Sequence, residues 1–86
     1  MQGKRVPDAQ DGVGFGLRPG EYGKLSTTWL CQTPNGHMGN LSAHHVVENP
    51  DGTITVTPSI LVEDDGGELW HGYLTAGVWR GVGRWA

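Results

Sequence analysis

Little in this chain would staple, anchor or charge it. It has a single cysteine in 86 residues, so no internal disulfide can form, and a reducing interior is the expected setting. No apolar run approaches the ~20 residues of a membrane-spanning helix, and the first residues lack the apolar centre of a secretory leader. The Asn40-Leu41-Ser42 glycosylation sequon is therefore read as silent. Six basic residues face nine acidic ones, for a formal charge of −3. The cations Lys4, Arg5, Arg18, Lys24, Arg80 and Arg84 are scattered rather than striped. Nucleic-acid affinity rests on clustered Lys and Arg neutralising phosphates, so neither a nucleic acid nor a membrane is expected as partner. No stretch sustains a 3.6-residue apolar period, which leaves no amphipathic helix, and no internal repeat is visible.

What the chain does have is glycine, 15 residues of it, and four tryptophans within a hydrophobic content of only 36%. A chain this short forms one small domain. Each large apolar side chain that is fully buried contributes about 1.5–3 kcal/mol, so the indoles decide whether such a domain folds alone or also needs self-association. Residues 1–24 carry scattered glycines and few apolar residues, and are expected to form a Gly-rich arm. Within it Val13, Phe15 and Leu17 alternate, as in a short edge strand or an arm laid on a partner subunit.

Residues 25–86 read as the β domain. Lys24 to Gln32 is Thr-rich and apolar, with Leu25, Thr27, Trp29 and Cys31 on one face. Thr33-Pro34-Asn35-Gly36 is a turn: proline presets φ, and Asn-Gly accepts positive φ. Asn49-Pro50-Asp51-Gly52 is the strongest hairpin signal. A two- or four-residue loop there puts His45 opposite Val56, toward the core, and His44 toward solvent; a bulged three-residue loop exchanges them. Pro58 bends or ends the next strand, Leu69 to Leu74 forms another, and Val78 to Trp85 the last, its glycines leaving room for neighbouring indoles. The expected fold is all-β: a small single domain of about five to seven short antiparallel strands, as a meander or small open barrel, with a Gly-rich N-terminal arm.

Two constellations stand out. Trp70, Tyr73, Trp79 and Trp85 cluster near the C-terminal end with Arg80 and Arg84 interleaved. Trp, Tyr and Arg are the side chains that dominate interface energetics, so these residues form either a binding surface for a protein partner or simply the core. Cys31, His37, His71 and one of the adjacent pair His44 and His45, with His45 the leading choice, are of the types that bind tetrahedral zinc, and Cys31 and His37 flank the Pro-Asn-Gly turn. No paired C-x-x-C or H-x3–5-H spacing supports them, so the expectation is no cofactor, with zinc the alternative. A nucleophile at Cys31 or Ser59 with His45 and an acidic partner has no local signature, and an enzyme is not expected. Glu63-Asp64-Asp65 does not have the spacing of an EF-hand and reads as a solvated turn.

The segments WLCQTPNGHMGNLSAHHV, DGTITVTPSI and WHGYLTAGVW also resemble a group of small proteins encoded by actinobacteria and their phages. That group shares W-x-C-x-T-P-N-G-H-x-G-N-L, T-I-T-V-x-P-S-I and W-H-G-Y-L-x-x-G-x-W, and the match spans roughly residues 29 to 79. The resemblance implies a short phage-type accessory protein in the cytoplasm of a bacterial host. Such a protein would act by binding a host or phage protein or a second copy of itself. A wider resemblance, to small β domains with a Cys-rich turn and a later His, would put Cys31 and His71 at ligand-like positions. The remaining cysteines of that pattern are missing here.

Overall fold

A computed structural model describes residues 1–11 and 15–86. Val13 of the expected arm strand lies outside them. The described residues form two four-stranded sheets and no closed barrel. The first contains β1 (Lys4–Arg5), β2 (Glu21–Leu25), β3 (Thr28–Gln32) and β4 (Met38–Asn40). The second is a plain meander of β5 (His45–Glu48), β6 (Ile54–Asp64), β7 (Gly67–Thr75) and β8 (Val78–Gly81). A single 3-10 turn, Gly83–Trp85, follows. The all-β domain expected from the strand and turn signals is what forms.

Local chemistry explains most of the elements. Lys24 to Gln32 is not one strand but the centre of a hairpin, turned at Ser26-Thr27 with Leu25 opposite Thr28. Ser26 sits at φ 54°, in the left-handed region where glycine is the usual occupant. Two hydrogen bonds to the N-terminal segment hold it there, from Ser26 N to Ala9 O at 2.7 Å and from Ser26 Oγ to Gln10 O at 2.6 Å. The Thr33-Pro34-Asn35-Gly36 turn forms as its residues require, with Gly36 at φ 92°. The buried Thr33 hydroxyl donates to Asn35 Oδ1 at 2.7 Å and accepts the His37 amide at 2.9 Å.

The β5–β6 hairpin departs from the expected register by one residue. His45 pairs with Thr57, Val46 with Val56, and Val47 with Thr55. A three-residue loop closes it: Asn49 N donates to Thr53 O at 2.8 Å, and Gly52 takes φ 88°. Asp51 fixes that loop by accepting from Thr53 N at 3.0 Å and Thr53 Oγ at 2.6 Å, while Asn49 Nδ2 donates to Thr53 and Thr55 hydroxyls. The odd loop length exchanges the faces. His45 is exposed, His44 is half-buried, and Val46 packs against the core.

Pro58 neither ends β6 nor breaks it. The strand continues to Asp64, with its pairing to β7 irregular between Val56 and Ile60. The last expected strand stops early at Gly81. Gly83, at φ 59°, turns the chain so that Trp85 lies against Gly81, in the space a β-carbon there would fill. A β-carbon on Gly72 would likewise meet the Trp70 ring and the Arg80 carbonyl.

One core draws on both sheets: Tyr22, Trp29 and Cys31 from the first, Ile54, Val56, Ile60, Trp70, Leu74 and Trp79 from the second, and Leu41 between them. The N-terminal residues are tied in rather than loose. Met1 and Gly3 exchange backbone hydrogen bonds with Trp79 and Gly77, and Lys4, Val6 and Ala9 bond along β2. The segment thus starts on the edge of the second sheet and finishes on the edge of the first. Arg5 adds a cross-connection, lying 4.9 Å from the centre of the Trp29 ring while its guanidinium donates to Glu48 at 3.0 Å.

Candidate functional site

The aromatic cluster divides by strand alternation. On β7, Trp70, Gly72 and Leu74 point inward, and His71 and Tyr73 point outward. Trp70 and Trp79 are both in the core, edge to face with ring centres 5.3 Å apart. The Trp79 indole N–H is spent on the Gly20 carbonyl at 2.9 Å. As whole side chains these two of the expected surface residues are therefore mainly core, whereas Tyr73, Arg80 and Arg84 are exposed. The more accessible indole of the cluster is Trp85, half-buried, with Arg84 over its ring at 4.8 Å.

Trp85 closes one side of a groove of about 400 Å³ whose floor is the edges of Trp70 and Trp79 and whose rim includes Met1, Pro34 and Arg80. The Arg80 side chain is exposed and makes no hydrogen bond or ion pair among the described residues. Tyr73 pairs with Arg80 across the β7–β8 ladder and is 44% exposed, on the sheet face away from the core. Grooves of about 420 Å³ beside Trp29 and His44, and about 520 Å³ beside Arg5 and Tyr22, are of similar size. Volume does not separate the three; the concentration of indole surface beside an unpaired guanidinium does.

The four residues of the zinc alternative are placed apart in character. Cys31 is fully buried opposite Gly39, whose missing β-carbon makes room for its sulfur. Burial pushes the Cys31 thiol up to about 12, against the thiolate that a metal requires. His37 is half-buried beside the Pro34 turn, His45 is exposed on β5, and His71 is on the outward face of β7. Among the described residues no group of three or more His, Cys, Asp or Glu side chains is placed to hold a metal ion.

His71 has other company. Ser59 Oγ lies 2.9 Å from its Nε2, and Glu68 Oε1 lies 3.7 Å from its Nδ1. Glu68 is itself held by the Trp85 indole N–H at 2.9 Å, and its backbone carbonyl accepts from Arg84 at 2.6 Å. His44 Nε2 donates to the Ser59 carbonyl at 3.1 Å, which leaves its Nδ1 buried without a partner among the described residues. The serine and histidine considered from sequence were Ser59 and His45; the structure joins Ser59 to His71 instead. The i,i+3 spacing of Glu68 and His71 was visible in the sequence, but their junction with Ser59 depends on the β6–β7 register.

No family model, no curated protein and no solved structure matches the chain. No helix among the described residues is long and apolar enough to cross a membrane.

Proposed function

We propose that this chain is a protein-binding module, a phage-type accessory protein that acts in the cytoplasm of a bacterial host on a host or phage protein or on a second copy of itself. The observation that carries this reading is Arg80, exposed and unpaired among the described residues, on the rim of a groove floored by Trp70 and Trp79 and walled by Trp85. A desolvated aromatic pocket beside a guanidinium is the arrangement from which interface hot spots are built. Its chemistry selects a segment with an apolar side chain for the groove and a carboxylate for Arg80. The source and the accessory role rest on the shared motifs of residues 29 to 79.

Arg80→Glu and Arg80→Ala test the reading, since the Arg80 side chain is exposed and makes no hydrogen bond or ion pair among the described residues. Each is expected to abolish capture of a host or phage protein, or to dissolve a dimer in sedimentation analysis, with little change in melting temperature. Capture and self-association that both persist in the two folded variants would overturn it.

A further inference from the structure

We propose that Ser59, His71 and Glu68 form a nucleophilic relay that accepts acyl groups from small activated esters. Three geometric facts support it. The Ser59 hydroxyl is within hydrogen-bond reach of His71 Nε2 at 2.9 Å. Glu68 stands at the opposite ring nitrogen, 3.7 Å from Nδ1. Glu68 is oriented from behind by the Trp85 indole N–H at 2.9 Å.

A carboxylate beside Nδ1 favours the tautomer that carries its proton there, which leaves the Nε2 lone pair to accept from the serine hydroxyl. That is the division of labour among nucleophile, base and orienting acid in acyl-transfer triads, which are recognised by geometry and role rather than by fold. The Glu68–His71 separation is longer than a direct hydrogen bond, as catalytic contacts often are before a substrate tightens them.

The site is open. The His71 and Glu68 side chains are 34% and 36% exposed, so a small ester can reach them from solvent. Leu61, paired with His71 across β6–β7 and 46% exposed, gives the acyl group an apolar shoulder. Tyr73 lies two residues from His71 on the same outward face. The described contacts provide a nucleophile, a base and an orienting acid, but no paired donors aimed at an oxyanion. The chemistry therefore fits esters with good leaving groups.

In the step itself, Ser59 Oγ attacks the ester carbonyl as its proton passes to His71 Nε2. The Oγ–C bond forms, the bond to the leaving oxygen breaks, and His71 returns the proton to that oxygen. Water then attacks the acyl-serine by the same proton route, releasing the carboxylic acid and restoring the hydroxyl.

The test treats the intact protein with p-nitrophenyl acetate and follows nitrophenol release alongside mass spectrometry of the protein and its peptides. One acetyl group on Ser59 is expected. The label should be absent in Ser59→Ala and restored in Ser59→Cys, which keeps a nucleophile. His71→Gln should slow acetylation by about 10²-fold or more. Glu68→Gln, a positioning change, should lower the acetylation rate while leaving the label on Ser59, and Glu68→Asp should recover part of that rate. A folded wild-type protein acetylated only on lysines or the terminal amine, or equal nitrophenol release from Ser59→Ala, would overturn the proposal. Neither result bears on Arg80 or the groove.

Discussion

The two faces of β7 divide the molecule's work. Inward, Trp70, Gly72 and Leu74 are buried and packed so closely that a single added carbon at Gly72 would meet backbone. Outward, His71 and Tyr73 share their face with Ser59 and Leu61, where polar groups touch one another and water. One nine-residue strand thus carries the fold on one side and the proposed relay histidine on the other. Chemistry-bearing and fold-bearing residues alternate along the chain, so substitutions one position apart should behave very differently.

The largest contrast should come from Trp79→Ala. It removes an indole from the edge-to-face pair and leaves the Gly20 carbonyl with only the Lys4 amide as donor, so a loss of about 3–5 kcal/mol is expected in chemical denaturation. A loss under about 1 kcal/mol would mean that the inner face is not the stabilising one.

Cys31 extends the contrast to the first sheet. Its thiol is raised from an ordinary 9.0 to about 12 by burial, so the folded state holds the proton more tightly than the unfolded chain does. That contribution is complete below pH 9.0 and is lost as pH rises through this window toward about 12, with a slope of at most ~1.4 kcal/mol per pH unit. Stability measured against pH should lose that component in Cys31→Ala, after allowance for the other groups that titrate there. An unchanged slope would mean that the thiolate is not excluded.

Gly72→Ala should cost about 1–3 kcal/mol, because the new carbon meets the Arg80 carbonyl and the Trp70 ring inside a packed layer. Its outward neighbour should be nearly silent. Tyr73→Ala is expected to shift the unfolding free energy by no more than about 0.5 kcal/mol. A larger loss there would show that the outward face also carries stability.

How much of this could be read from the sequence varied with the range of the interaction that decides each feature. Turns were legible because their determinants lie within four residues, as with the positive-φ glycine and the Thr33 hydroxyl around Pro34 and Asn35. Inward-pointing Trp29 and Cys31 followed from simple alternation. The His44 and His45 assignment did not, because it depended on whether Asp51 would close a loop of three residues, and one residue of register reverses every face. Tyr22, a fully buried core residue, lay in a stretch read as arm, because glycine-rich surroundings mask a strand whose partners come from residues 4–9 and 28–32. Ser59 and His71 met only through the pairing of β6 with β7, which no local pattern encodes.

The N-terminal segment has a further consequence, for the order of folding. Met1 bonds to Trp79, 78 positions along the chain, whereas the second sheet is a meander whose strands are joined by short turns. Loop closure is entropically slow compared with hairpin formation, so the meander can assemble while the segment still waits for both edges it must bridge. Residues that precede the meander along the chain are therefore among the last to be locked. Until they are, the outer edges of β8 and β2 are open, and a nascent domain halted at that stage offers two unpaired strands to any other copy beside it.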